Sequence, residues 1–280
     1  MKSPGTLFVV ATPLGDPRDL SPRAADTLRA AELIVAEDTR SARRLLSEIG
    51  VADKTVVSCF DANEAARAAE VAARLEAGAQ VALISEAGTP LVSDPGFRVV
   101  AAAVAVGARV VPVPGPSAIL AALVAAGLPT DRFLFLGFPP RKSGARRRLF
   151  ETVRTLPFTL VLYESPLRAA ATLADLGTVL GDDRAACLAR ELTKPHEELV
   201  RDTLGGLAAR YATDRPLGEV TLVVAGAPAT AAAEELDDDE IRARAAELMA
   251  AGQSTGDAAR ALAETTGRPR REIYNLIARR

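Results

Sequence analysis

Four segments in the first half of the chain combine glycine, proline, small hydroxyls and carboxylates, which are typical of ligand-binding loops. They are ATPLGDPRDLS (11–21), AEDTR (36–40), SEAGTPLVSDPGF (85–97) and PVPGPSA (112–118). Glycine lets a ligand approach the main chain, proline fixes the loop, and serine and threonine offer hydrogen bonds. Any one segment is equally consistent with an ordinary loop, but four together indicate a binding site.

The same segments exclude two large classes of nucleotide enzyme. No GxxxxGK[ST] phosphate loop occurs, and no GxGxxG follows the first strand-like run. Proline-stiffened loops without a phosphate cradle favour a nucleoside that lacks a phosphate chain, and S-adenosylmethionine fits that description. With one histidine, His196, and two separated cysteines, we expect no metal site, a surface role for the histidine, and buried free thiols at Cys59 and Cys187.

Apolar runs come before or between these segments and predict the strands of a parallel α/β sheet. The runs are nearly continuous rather than alternating, so we expect them to be covered on both faces, and they lie at 6–11, 32–38, 55–60, 80–85 and 108–115. Ligands of such sheets bind beyond the carboxyl ends of the strands. Ser21 with Pro22, and Asp94 with Pro95, each predict the cap and first turn of a helix.

The rest of the chain predicts a second α/β domain and a helical tail. Later strand runs lie at 132–138, 159–165, 185–191, 197–204 and 219–226, and the close spacing of two of them indicates a mixed sheet. We expect domains at 1–115 and 116–228. A small-residue and then acidic linker follows from 227, and residues 236–280 predict three short helices with helix-turn-helix-like spacing.

Composition indicates a globular protein, with 49% hydrophobic and 25% charged residues and a net charge of −2. No apolar run reaches the roughly 18 residues of a membrane span, and the start lacks a signal peptide, so we expect a cytoplasmic protein with no membrane association. Positive charge is concentrated in the run RKSGARRR, whose position in an expected loop favours phosphate contact over a solvated face for Arg141, Lys142, Arg146, Arg147 and Arg148. Arg40 is equally consistent with an ion-pair network and with a phosphate contact.

Seven motifs in order resemble the ribosomal RNA small subunit methyltransferase I family of the tetrapyrrole-methylase-like superfamily. They are ATPLGDPRDLSPRA, AEDTR, SEAGTPLVSDPG, PVPGPSA, LGFPPRKSGARRR, YESPLR and ARELTKPHEE. The resemblance runs from about Thr6 to Gly226 and implies an α/β, two-domain tetrapyrrole-methylase-like fold of the class III S-adenosylmethionine methyltransferases, here with a small C-terminal helical domain. It also implies a homodimer that methylates the ribose 2′-hydroxyl of a cytidine in the decoding region of 16S rRNA, within the 30S subunit.

The resemblance places S-adenosylmethionine in the cleft between the two domains. The residues that it implies at the donor site are Pro13, Leu14, Gly15, Gly88, Thr89, Val92, Ser117 and Ala118, with Tyr163 and Ala189 placed by strand position. Methyl transfer to a hydroxyl needs alignment and benefits from a proton acceptor. Candidates at the strand ends of the second domain are Glu164, Glu191 and Lys194, although Glu191 and Lys194 are equally consistent with structural ion pairs.

Two positions bear on the choice of substrate. Thr89 replaces the aspartate of many superfamily members and favours RNA over a tetrapyrrole. Leu167 replaces the histidine that usually follows YES-Pro or YES-Thr in the family, so that histidine is interpreted as structural. Methylation of a tetrapyrrole or a protein side chain on the same fold is the alternative. A nucleic-acid-binding regulator with a terminal helix-turn-helix would leave the four loops without a purpose.

Overall fold

The computed structural model of the 280-residue chain describes residues 4–51, 53–228 and 236–278. The chain divides into two compact units, a larger one of residues 1–153 and 158–225 and a smaller one of residues 154–157 and 226–280. None of the helices in the described ranges combines the length and the apolar character that crossing a membrane requires.

The first sheet of the larger unit is fully parallel, with strand order β3-β2-β4-β1-β5. Its strands are β1 (Thr6–Val10), β2 (Leu33–Ala36), β3 (Thr55–Ser58), β4 (Gln80–Ile84) and β5 (Arg109–Val113). The helices that alternate with them are α1 (Pro22–Ala30), α2 (Thr39–Glu48), α3 (Glu64–Glu76) and α4 (Phe97–Ala105). Every residue of β2 is buried. One core cluster joins the sheet to α3 and α4, and another joins it to α1 and α2, so the prediction of a sheet covered on both faces is confirmed.

The second sheet is mixed, as predicted, with strand order β6-β7-β10-β8-β9. Only β6 and β7 run parallel to each other. The elements are α5 (Ala118–Ala125), β6 (Phe133–Phe135), α6 (Ser143–Val153), β7 (Thr159–Glu164), α7 (Ala169–Leu180), β8 (Ala185–Arg190), β9 (Glu198–Thr203), α8 (Leu204–Thr213) and β10 (Val220–Val224). Helix α5 packs on this sheet, because Ile119 and Leu123 share a core cluster with Val161 and Cys187. Cys59 and Cys187 are both buried free thiols, as predicted.

Two helix starts show where local sequence rules hold and where they fail. Ser21 caps α1 as predicted, with its Oγ accepting the Ala24 N–H at 3.1 Å. The prediction that Asp94 caps α4 is wrong. Gly96 holds the cap position, and the Glu64 carboxylate, from α3, accepts the Gly96 N–H at 2.8 Å and the Arg98 N–H at 3.0 Å.

The smaller unit contains the three predicted helices, α9 (Asp238–Ala250), α10 (Thr255–Thr266) and α11 (Arg270–Ala278). They enclose a small core of their own, formed by Ile241, Ala245, Ala259, Leu262 and Ile273. Asp237 and Glu240 form a capping box that starts α9, and Ser254 caps α10. Most of the expected linker, residues 229–235, lies outside the described residues, as do Arg279 and Arg280.

Candidate active site

Three of the four predicted loops are tied together at the carboxyl edge of the first sheet. Thr12 and Gly88 exchange both of their main-chain hydrogen bonds, at 2.8 and 3.0 Å, and so join the loops that follow β1 and β4. The Thr89 Oγ1 donates to the Pro116 carbonyl at 3.0 Å and joins the β4 loop to the β5 loop. Gly88 has φ +78°, and a Cβ there would lie 3.0 Å from Leu14 Cδ2, so the close approach of these loops requires glycine.

The β4 loop also holds two ordinary residues in left-handed backbone conformations. Leu91 has φ 71° and Ser93 has φ 70°. Such conformations cost free energy in non-glycine residues and are concentrated at functional sites. The strain of this loop therefore supports its assignment to a binding site.

A cavity of about 390 Å³ opens between these loops and the second sheet, and we call it the Tyr163 cavity. Seven of the ten predicted donor-site residues line it, namely Leu14, Gly88, Thr89, Val92, Ser117, Ala118 and Tyr163. Glu37, Asp94 and Thr221 line it as well. Its volume is within the range of roughly 300–1,000 Å³ that is typical of small-molecule sites. The mixture of apolar, hydroxyl and carboxylate groups suits a cationic nucleoside.

The other three predicted donor-site residues lie elsewhere. Pro13 and Gly15 line a second cavity, and Ala189 is fully buried in the core beneath the second sheet. Gly15 approaches the loop after β8 so closely that a Cβ would clash with the Lys194 side chain. The neighbouring Asp16 N–H donates to Thr193 Oγ1 at 3.1 Å. Gly15 therefore brings the two sheets together at the cleft.

The second cavity, which we call the Arg44 cavity, has a volume of about 410 Å³. It is bordered by α2 on one side and by the loop that contains Lys194 on the other. Leu14, Glu86, Ala87 and Glu219 line both cavities, which therefore adjoin. A methyl donor and a methyl acceptor need two adjacent spaces of this kind, because the reacting atoms must come into contact.

Asp94 and Tyr163 line the Tyr163 cavity, and both have raised pKa values. Burial, followed by the charge of the nearby Glu37 carboxylate, raises the pKa of Asp94 to about 6. Burial, followed by the charge of Asp94, raises the pKa of Tyr163 to about 12, so the phenol keeps its proton and can donate a hydrogen bond. Its ring packs edge-on against Phe135, with 4.9 Å between ring centroids. Asp94 is ionised at neutral pH and provides a negative charge that a bound cation would stabilise.

The three predicted proton acceptors all have intramolecular partners. Lys194 Nζ lies 3.1 Å from both Glu191 Oε1 and Glu219 Oε2. Burial alone would lower the pKa of Lys194, but the two carboxylates raise it, so the lysine stays protonated. Burial alone would raise the pKa of Glu191, but bonds from the Glu219 N–H and Lys194 lower it.

Glu164 has a fully buried side chain, which is bonded to Thr172 Oγ1 and Arg168, each at 2.5 Å. These contacts favour structural ion pairs over proton transfer at all three positions.

The geometry of Arg40 is compatible with both expected roles, an ion pair and a phosphate contact. Its guanidinium pairs with Asp38 at 2.6 Å, yet its side chain is 89% exposed and remains accessible to a phosphate.

Most of the basic run is not the loop that we expected, because Ser143–Val153 forms α6 and only Arg141 and Lys142 precede the helix. Arg146 is only 4% exposed and pairs with Asp175 at 2.5 Å, so its predicted phosphate contact is wrong. Arg147 also binds Asp175, at 2.6 Å. Arg141, Lys142 and Arg148 are exposed and remain candidates for RNA contact.

Sequence reasoning missed several residues of the Tyr163 cavity as ligand contacts, among them Asp94, Glu37 and Thr221. Asp94 and Glu37 were part of the quoted motifs, but Asp94 was interpreted as a cap and Glu37 as part of an ion-pair network. Thr221 lies on the central strand β10, opposite Ala189 and Tyr163. Nothing local distinguishes it from other strand residues, so only the sheet register reveals it.

Comparison with known proteins identifies relatives over nearly the whole chain. Residues 6–208 match the family described as Tetrapyrrole (Corrin/Porphyrin) Methylases. A protein named ribosomal RNA small subunit methyltransferase I from Synechocystis sp. is 44% identical, and the match covers 97% of each chain. The protein of the same name from Pseudomonas aeruginosa is also 44% identical, over 99% of this chain and 98% of its own.

Solved structures share the fold of the larger part of the chain. Uroporphyrin-III C-methyl transferase from Thermus thermophilus, complexed with S-adenosyl homocysteine, superposes with a TM-score of 0.56 at 21% identity. The superposition covers 78% of this chain and 97% of that one. At this identity the likeness shows the fold alone.

Proposed function

We propose a function from one premise: the chain belongs to the tetrapyrrole methylase family and, within it, to the ribosomal RNA small subunit methyltransferase I family. The chain is therefore a methyltransferase. Our proposal is that it transfers a methyl group from S-adenosylmethionine to the ribose 2′-hydroxyl of a cytidine in the decoding region of 16S rRNA, within the 30S subunit. The pair of adjoining cavities supports this proposal, because one suits the donor and the other leaves room for an acceptor.

The residues of the Tyr163 cavity would hold the donor. Leu14, Val92 and Ala118 offer apolar contact, and Gly88 permits close approach to the main chain. Asp94 offers a negative charge to a ligand with two positive groups, and the Tyr163 hydroxyl offers a hydrogen bond. S-adenosylmethionine, when bound, supplies a methyl group on a positively charged sulfur. Because that methyl group is already activated, alignment is the main task that remains for the protein.

The network of Glu191, Lys194 and Glu219 would position the acceptor rather than accept its proton. Lys194 and Glu219 line the Arg44 cavity beside the donor site. The ammonium group of Lys194 is held by two carboxylates, and it can bind an oxygen of the acceptor without losing its proton. Water can take the ribose proton in this arrangement.

Methyl transfer to RNA tests the proposal directly. The protein is incubated with labelled S-adenosylmethionine and 30S subunits from a strain that lacks this gene, and the modified nucleotide is mapped. A uroporphyrinogen is offered in parallel. Label on one cytidine ribose of the 16S rRNA is expected, and label on the tetrapyrrole alone would show that the alternative substrate is correct. Activity on 30S subunits would also support a cytoplasmic location, where these subunits occur.

We also propose that the chain works as a homodimer that uses the outer face of α5. Leu120 is 51% exposed and Val124 is 74% exposed on this helix, which has no charged residue. Exposed apolar residues that are clustered on one helix are typical of a protein interface. Val124→Asp is expected to convert a dimer into a monomer in sedimentation experiments. The control is Ala69→Asp on the exposed face of α3, which adds the same charge and should leave the dimer intact. A Val124→Asp protein that sediments as the wild type does would refute this interface.

The helical tail, residues 236–280, is proposed to capture the ribosomal substrate. Among its described arginines, Arg270 and Arg271 are exposed at the start of α11. Truncation after Ala227 is expected to leave S-adenosylmethionine affinity unchanged and to raise the KM for 30S subunits. Calorimetry and steady-state kinetics measure the two effects. A truncated protein that methylates 30S subunits with wild-type efficiency would contradict this role, as would one that unfolds.

A further inference from the structure

Helix α2 presents a basic face that the sequence motifs did not single out as a unit. Arg40, Arg43 and Arg44 are separated by three and four positions, so they lie on one side of the helix. Ala42 and Leu46 occupy the opposite side and are buried against the sheet. All three arginines are exposed, with side-chain exposures of 89% for Arg40 and 82% for Arg44.

The three arginines of this face form only exposed ion pairs, or none, with other described residues of the protein. Arg44 pairs with Glu48 at 3.2 Å and Arg40 pairs with Asp38 at 2.6 Å, but both arginines are largely surrounded by solvent. Exposed pairs of this kind contribute little to stability, so a stronger anion can replace the carboxylates. The Arg43 side chain has neither a hydrogen bond nor an ion pair within the described part of the chain. All three guanidinium groups are therefore accessible to an external anion, and that of Arg43 is unpaired among the described residues.

This face borders the candidate active site. Arg44 and Ser41 line the Arg44 cavity, and that cavity adjoins the Tyr163 cavity, where the donor is proposed to bind. The Ser41 Oγ donates to the Glu86 carboxylate at 3.2 Å, which fixes α2 to the loop after β4. An anion on this face would thus be held at a set position next to the acceptor space.

The basic run at 141–148 differs from this face in its position. Arg146 is buried against Asp175, and Arg147, whose side chain is 48% exposed, binds the same carboxylate. None of the five cations of this run lines either cavity. Helix α2 carries three exposed arginines within five residues, and one of them lines a cavity of the active site.

We infer that Arg40, Arg43 and Arg44 on α2 bind the backbone phosphates of the rRNA strand beside the acceptor nucleotide. This inference rests on the proposed function. Phosphate is the complementary ligand, because arginine binds it with paired hydrogen bonds and because RNA presents a regular series of negative charges. The contacts are independent of base sequence, so they position the strand and leave the choice of nucleotide to the cavities.

The test compares a double variant, R43A/R44A, with the wild type in binding an RNA fragment of the 16S decoding region. Loss of two phosphate contacts should make the slope of log affinity against log salt shallower by roughly 1.4 to 1.8. Between 50 and 200 mM salt, affinity would then fall by a factor roughly 7 to 12 times smaller than in the wild type. S-adenosylmethionine affinity should not change, and KM for 30S subunits should rise while kcat at saturation is retained.

The matched control is R74A/R109A. Arg74 forms an exposed i, i+4 pair with Glu70, as Arg44 does with Glu48, and Arg109 is exposed at the start of β5, remote from the cleft. The control removes the same charge and should keep the wild-type slope. Arg43→Glu is a second variant that cannot break an internal contact. Wild-type RNA affinity and slope in R43A/R44A and Arg43→Glu, or an equal loss in the control, would overturn the inference.

The same measurements separate this inference from the proposed function. If the wild type methylates 30S subunits while the α2 variants behave as it does, only the α2 surface is wrong. If the wild type transfers no methyl group to RNA, both proposals are wrong.

Discussion

Asp94→Asn is expected to weaken S-adenosylmethionine binding by roughly 10- to 100-fold and to leave the protein folded. A hydrogen bond to a charged group contributes about 1.5–3 kcal/mol, and each 1.4 kcal/mol is about a tenfold change in affinity. Asp94 lines the Tyr163 cavity, and it has no capping role because Glu64 binds the start of α4 instead. Isothermal titration calorimetry at pH 7.5 measures the change.

The pH dependence gives this prediction a second, independent measurement. The pKa of Asp94 is about 6, above its ordinary value of 3.8. Donor affinity of the wild type should fall as the pH drops through about 6, because the carboxylate is neutralised. For stability the sign is opposite. The folded state binds the proton more tightly than the unfolded state, so Asp94 makes the protein less stable as the pH rises from about 4 to about 6. Asparagine removes both dependences.

Measuring donor affinity and thermal stability together distinguishes a binding role for Asp94 from a structural role. Asp94→Asn should unfold at the same temperature as the wild type, or at a higher one, above pH 6, while its donor affinity falls. The control is Asp131→Asn, a substitution of the same chemistry at an exposed carboxylate outside the cavities. Unchanged donor affinity in a folded Asp94→Asn protein would remove Asp94 from the site.

The sequence was sufficient for the parts of the site that depend on strand order and chain direction. Strands β1, β2, β4 and β5 are mostly apolar and run parallel in one sheet, so the loops after them must emerge at one edge of the sheet. The prediction that loops such as those holding Leu14, Gly88 and Ser117 converge follows from that rule alone. Their places in the Tyr163 cavity agree with it.

Contacts between residues distant in the chain account for most of what the sequence could not predict. Asp94-Pro95 has the local pattern of a helix start, but a carboxylate 32 positions away, Glu64, binds the Gly96 N–H. Because the Glu64 carboxylate binds the start of the helix, Asp94 is not needed there and lines the Tyr163 cavity. In the YESPLR motif, Leu167 is 71% exposed while Arg168 binds the buried Glu164. The exposure of Leu167 gives no support to a structural role for a side chain at this position.

Arg146 shows most clearly what the sequence could not predict, because it is buried while Arg148, two positions away on the same helix, is exposed. Arg146→Ala is expected to destabilise the fold by about 3 kcal/mol, the lower end of the roughly 3–5 kcal/mol cost of breaking a buried ion pair. Burial alone would raise the pKa of Asp175, but bonds from Arg147, Ser143 and Arg146 lower it in the folded protein. The substitution leaves this buried carboxylate with fewer partners. The value is at the lower end because Arg147 and Ser143 remain bound to it.

Urea denaturation of Arg146→Ala and Arg148→Ala tests whether the basic run is structural or binds RNA at each position. Arg148 is exposed on the same helix, so its removal should change the free energy of unfolding by less than about 0.5 kcal/mol. RNA binding should show the reverse order, with a shallower salt slope for Arg148→Ala and wild-type behaviour for whatever fraction of Arg146→Ala remains folded. Equal stability of the two variants would mean that the ion pair between Arg146 and Asp175 does not stabilise the fold. In that case Arg146 would again be a candidate for phosphate contact, as its sequence context first indicated.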